Sequence, residues 1–75
     1  METTLQNILV FATNIKTESE KLTISTVLDK NPAIQQWNID LEDVDCVLRI
    51  VSETLSEAEI INIIKSQDFK CTSLE

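Results

Sequence analysis

The chain predicts an α+β fold in the order βαββαβ, a four-stranded antiparallel sheet with two helices on one face. Three observations carry that prediction. Two capping boxes, Thr17-Glu18-Ser19-Glu20 and Ser56-Glu57-Ala58-Glu59, each open a stretch with apolar residues at helical spacing. Apolar runs of strand length stand before and after those stretches. The length, 75 residues, accommodates one small domain; a chain of this size buries only about 60% of the surface its unfolded form exposes.

The first strand is the run Ile8 to Ala12, apolar throughout and set between polar Gln6-Asn7 and Thr13-Asn14. Such a run reads as a strand buried on both faces. Asn14 marks a turn, because Asn tolerates a left-handed backbone better than other non-glycine residues. The first helix opens at Thr17, whose hydroxyl can accept from the Glu20 amide while the Glu20 carboxylate reaches back to the Thr17 amide. Leu22, Ile24, Val27 and Leu28 supply its apolar face, and Asn31-Pro32 ends it, since the residue before proline avoids the helical region. Trp37, Ile39 and Leu41 alternate with Asn38 and Asp40, which makes Ile34 to Leu41 a half-buried strand. Glu42-Asp43 turns the chain. In the third strand, Cys46 to Val51, Arg49 should face water. That directs Cys46, Leu48 and Ile50 inward and Val47 and Val51 outward. The second helix runs from the Ser56 cap to about Gln67 with Ile60, Ile61, Ile63 and Ile64; the cap and the spacing outweigh the strand preference of four isoleucines. Phe69 to Ser73 is a short last strand. The order is that of the ferredoxin-like split βαβ arrangement, and right-handed crossovers give the spatial order 4-1-3-2.

Composition narrows function by exclusion. With 43% hydrophobic and 25% charged residues the chain is globular. A formal net charge of -7 repels phosphate backbones, so nucleic acid is not an expected partner. No basic run suggests a membrane surface, and the apolar run Ile8 to Ala12 is too short to span a bilayer. The absence of histidine removes the commonest general base and metal ligand; the absence of glycine removes phosphate-cradling loops. No enzyme, no catalytic residue and no cofactor are expected. The first twenty residues show no basic region followed by a long apolar stretch, so a cytoplasmic location is expected. Residues 1–73 are expected to form the domain, and Leu74-Glu75 to be the remnant of an expression tag.

The segment from Ile8 to Ser73 resembles the heavy-metal-associated domain, found in copper chaperones and metal-pumping ATPases. Pro32-Ala33-Ile34 stands where that family has Pro-Gly-Val, Trp37-Asn38-Ile39-Asp40-Leu41 matches its Val-x-Val-x-Leu strand, and Asp68-Phe69 stands where Gly-Tyr is common. Ser56 to Ile64 matches the start of its second helix. The register between these pieces needs no insertion. Counted back from Pro32, the family's Gly-Met-x-Cys-x-x-Cys loop falls on Asn14-Ile15-Lys16-Thr17-Glu18-Ser19-Glu20. Ile15 can do the packing of the methionine. Thr17 and Glu20 replace both cysteines, and a hydroxyl and a carboxylate are hard oxygen donors where monovalent copper needs soft sulfur. The resemblance implies the fold and withholds the metal site.

Other constellations are weaker. Cys46 and Cys71, placed on the third and fourth strands with the first between them, should lie about 10 Å apart at about 4.8 Å per strand. That is too far to share an ion, which requires sulfurs within about 4.6 Å, or to form a disulfide. Asp40, Glu42, Asp43 and Asp45 form an acidic turn that suits solvent better than a calcium loop. If Val10 and Ala12 point inward, then Leu9 and Phe11 point outward beside Val47 and Val51. Leu9, Phe11, Val47 and Val51 would then form an apolar patch suited to a protein partner or a homodimer. The expected function is a non-catalytic interaction or structural module that has lost a thiolate metal site. The alternatives are an atypical metal-binding or metal-transport-associated domain, and a small-molecule-sensing regulatory domain of the same element order.

Overall fold

The computed structural model describes residues 7–74. Gln6 in the polar flank of the first strand and Glu75 of the expected tag remnant lie outside the described residues. The elements are β1 (Asn7–Thr13), α1 (Glu18–Leu28), β2 (Gln36–Ile39), β3 (Leu48–Ser52), α2 (Glu57–Lys65) and β4 (Cys71–Ser73). All pairings are antiparallel and the sheet order is β2-β3-β1-β4, the expected order read from the other edge. The ferredoxin-like α+β arrangement holds.

Both helices start where their caps dictate. Thr17 Oγ1 accepts from the Glu20 amide at 3.1 Å while Glu20 Oε1 accepts from the Thr17 amide at 3.2 Å. Ser56 and Glu59 repeat the pair at 3.2 and 2.8 Å. Each box satisfies amides that the first turn would otherwise leave unpaired, and each places carboxylates at the positive end of the helix dipole. Helix α1 stops two residues short of its expected end, and Leu22 is 67% exposed rather than part of the apolar face. Ile24 and Leu28, one turn apart, are the buried pair; Leu22 lies about 160° round from Ile24 at about 100° per residue.

The core is one cluster. Ile24 and Leu28 from α1 and Ile60 and Ile64 from α2 meet Phe11, Ile39, Leu48 and Ile50 from the three long strands. Ile15, in the loop after β1, is fully buried in the same cluster, where the resemblance puts the packing methionine. Trp37 packs partly against the core and its indole N–H donates to Asp29 Oδ1 at 2.8 Å, tying β2 to the end of α1.

The face of β1 is the reverse of the expectation. Phe11 is fully buried and Leu9 packs against the core. In register, Leu9 stands opposite Ile50 and Phe11 opposite Leu48, both core residues. Val10 stands opposite the exposed Arg49 and Ile8 opposite Val51, so Ile8, Val10 and Ala12 face outward. The physical reason is volume. The inner face must fill the space under two helices, and a phenylalanine and a leucine fill it better than valine and alanine.

Strand β3 begins later than expected, at Leu48. Cys46 has φ 45°, in the left-handed region, and closes a turn with its amide donating to Asp43 O at 2.9 Å. The Thr13 amide then bonds Asp45 O at 2.9 Å and the Thr13 hydroxyl bonds Cys46 O at 2.7 Å. A left-handed residue at this place ends the turn as a glycine usually would. Cys46 is therefore buried outside the regular ladder, and Val47 is buried rather than part of an open patch. Asn14 is not left-handed; its Oδ1 accepts from the Lys70 amide at 2.8 Å and joins the first loop to the start of β4. Leu74 extends the ladder, donating its amide to Val10 O at 2.9 Å.

Candidate functional site

Two regions can be asked for function: the loop between β1 and α1, and the sheet face that no helix covers. In the loop, the side-chain oxygens are already committed to the backbone. Glu20 Oε1 accepts from the Lys16 amide at 2.8 Å as well as from Thr17, and Thr17 Oγ1 holds the Glu20 amide. Thr13 Oγ1 accepts from the Ile15 amide at 3.2 Å. The fit to a soft metal ion fails on donor chemistry. A hydroxyl and a carboxylate occupy the two places where the resemblance would need thiolates. Among the described residues no group of three or more His, Cys, Asp or Glu side chains is arranged to hold a metal ion.

The cysteines stand at the same end of the sheet and on either side of β1. Thr13 pairs in register with Cys71 and bonds the carbonyl of Cys46, so the first strand runs between them. Both are free and buried. Burial pushes the Cys71 thiol up to about 11, against a smaller pull downward from the Lys65 ammonium. A thiol so raised is protonated at neutral pH and is neither a good nucleophile nor a ready ligand. The acidic turn is organised by its own backbone: Asp40 Oδ1 accepts from the Glu42 amide at 3.0 Å and Asp43 Oδ1 from the Asp45 amide at 2.8 Å.

On the open face, of the four residues expected to form a patch, only Val51 is there in fact. Leu9 and Phe11 belong to the core face and Val47 is buried before β3 begins. The residues that do occupy it are Ile8, 61% exposed, with Val10, Ala12 and Val51 half-buried and Arg49 exposed among them. A shallow groove of about 280 Å³ runs between Ile8, Gln36, Trp37, Asn38, Arg49 and Val51. Of the expected patch, Leu9 and Phe11 on β1 and Val47 ahead of β3 are misplaced. The available signal was side-chain size, with Leu9 and Phe11 against Val10 and Ala12.

Among the described residues no helix is long and apolar enough to cross a membrane. No family model and no curated protein matches the chain.

Proposed function

We propose that the chain is a non-catalytic interaction or structural module, with a frame like that of the heavy-metal-associated domain and without its thiolate site. One observation carries the reading. The carboxylate of Glu20 is bonded to two backbone amides and the hydroxyl of Thr17 to a third, so the residues at the family's ligand positions serve as a helix cap. Removing them from that role for a metal would cost on the order of 1 kcal/mol of capping before any ligand bond formed. The chain has no histidine to substitute for the missing sulfur, and its two cysteines are separated by β1. What the fold offers is surface: an open sheet face with apolar side chains at its centre, suited to a protein partner. Two unpaired buried cysteines suit a reducing compartment, in keeping with a cytoplasmic location.

The test is titration with monovalent copper and with zinc, followed by backbone amide shifts. The expected result is no saturable movement of resonances 14–20 at micromolar metal. Saturable shifts confined to that loop would overturn the reading in favour of an atypical metal carrier.

A further inference from the structure

The outer face of the sheet differs in charge from the rest of the molecule. The chain has 13 acidic residues and a net charge of -7. Among the described residues, none of the acids stands at an outward position of a strand. The centre of the face is Ile8, Val10 and Ala12 on β1 with Arg49 and Val51 on β3. Its margins are neutral: Gln36 and Asn38 on β2, Thr72 on β4 and, just past β4, Leu74. Three exposed carboxylates stand where the strands leave the face, Asp40 and Asp45 at one end and Glu53 at the other.

Size and charge together select the occupant. The apolar strip runs along β1 and β3, about 10 Å wide at about 4.8 Å per strand, with Leu74 beside Val10 at its β4 edge. An α-helix with its side chains is about 10–12 Å across and fits that strip lengthwise. A second copy of the chain does not suit the face. In a two-fold contact the face would meet itself, and it carries no carboxylate to receive Arg49.

We propose that the outer face docks an amphipathic helix of a partner protein, laid along β1 and β3 as a third layer. Its apolar stripe covers Ile8, Val10 and Val51, a carboxylate within the stripe pairs with Arg49, and lysines or arginines beside the stripe meet Asp40, Asp45 and Glu53. The inner face already shows this sheet accepting helices, and apolar anchors at helical spacing on a groove are a recurrent mode of recognition. The proposal rests on the chain being an interaction module and names the class of partner.

The test uses three synthetic amphipathic helices of about 15 residues, about 22 Å long and able to reach both acidic ends. All share a leucine stripe. The first has lysine flanks and a glutamate at the stripe's centre, the second lysine flanks and a central lysine, the third glutamate flanks and a central glutamate. Amide shifts are followed at about 0.15 M salt, where diffuse attraction is screened beyond about 8 Å. The first peptide should shift the outward positions of β1 and β3, the second should bind about tenfold more weakly, and the third not at all. Arg49→Glu should reverse the preference between the first two. Val10→Lys should abolish binding while leaving the circular dichroism of the fold unchanged. Shifts confined to the acidic turn, an unaltered preference in Arg49→Glu, or no binding of the first peptide would each overturn the proposal. A dimer seen by sedimentation and abolished by Val10→Lys would give the face to a second copy instead. Metal binding at residues 14–20 would sink the functional reading without touching the peptide result, so the two failures are separable.

Discussion

Val10 and Phe11 are neighbours in one apolar run and do opposite work. Phe11 is fully buried beneath the helices, and Val10 faces out opposite Arg49. Truncating Phe11 to alanine should cost about 3–5 kcal/mol, because a large cavity opens where the surroundings cannot collapse. Against a total stability of about 5–15 kcal/mol for ordinary domains, and less margin for so short a chain, that leaves little folded protein at 37 °C. Val10→Thr should cost under about 1 kcal/mol. Urea unfolding of the two variants measures the difference; equal costs would restore the opposite face assignment. Cys71 makes a second prediction at this scale. Burial raises its thiol from 9.0 to about 11, so the folded chain holds that proton more tightly than the unfolded chain. The associated stability is present in full below pH 9 and is lost as pH rises from 9 toward 11. The melting temperature should fall across that window and Cys71→Ala should flatten the fall. At pH 8 the native thiol should react with a disulfide reagent about a hundredfold more slowly than the unfolded one, following its thiolate fraction.

At the scale of elements, the helix starts were legible and the face of β1 was not. Both capping boxes declare themselves by residue type and spacing, and both form as hydrogen-bonded pairs. The alternation of Trp37, Asn38 and Ile39 likewise set the face of β2. In β1 five consecutive apolar residues contain no alternation, so periodicity could not choose a face, and only packing volume decides it. The left-handed turn end at Cys46 was hidden for a related reason. The usual mark of a left-handed position is glycine, and this chain has none. The same shortage shapes the end of α2. Asp68 has φ 68° where the resembled family commonly has glycine. The Asp68 amide donates to Lys65 O at 2.9 Å and the Phe69 amide to Ile64 O at 3.4 Å, the paired closure of a Schellman motif. Asp tolerates this conformation better than alanine does. Asp68→Ala should therefore destabilise the fold by about 1 kcal/mol, and Asp68→Gly should match or exceed the parent. Chemical denaturation of the pair checks this; an alanine variant as stable as the parent would mean that the left-handed residue exerts no strain there.

At the scale of the whole molecule, the proposed reading separates a frame from an activity. Ile15 fills the core below the first loop and Thr17 caps α1, the two positions to which the proposed resemblance gives a packing methionine and a first ligand. Neither feature needs sulfur. The candidate loop was legible as a cap because two oxygens three residues apart satisfy amides. It was illegible as to partner because caps report on helix starts and on nothing outside the chain. If the frame is that of a metal carrier, restoring the donors should restore the chemistry. Thr17→Cys combined with Glu20→Cys removes both halves of the box and should lower apo stability by about 1–2 kcal/mol. The same change puts two soft ligands at the spacing that monovalent copper and zinc accept, near the amino end of a helix, where thiolates are favoured. One equivalent of metal should bind, seen as thiolate-to-metal absorption in the ultraviolet. At about a hundred times the dissociation constant it should return about 2.7 kcal/mol of stability, enough to offset the lost cap. The parent chain carried through the same titration should show neither change. A double variant that folds and binds no metal would confine the resemblance to topology, since the loop would then lack the backbone path that brings the two positions onto one ion.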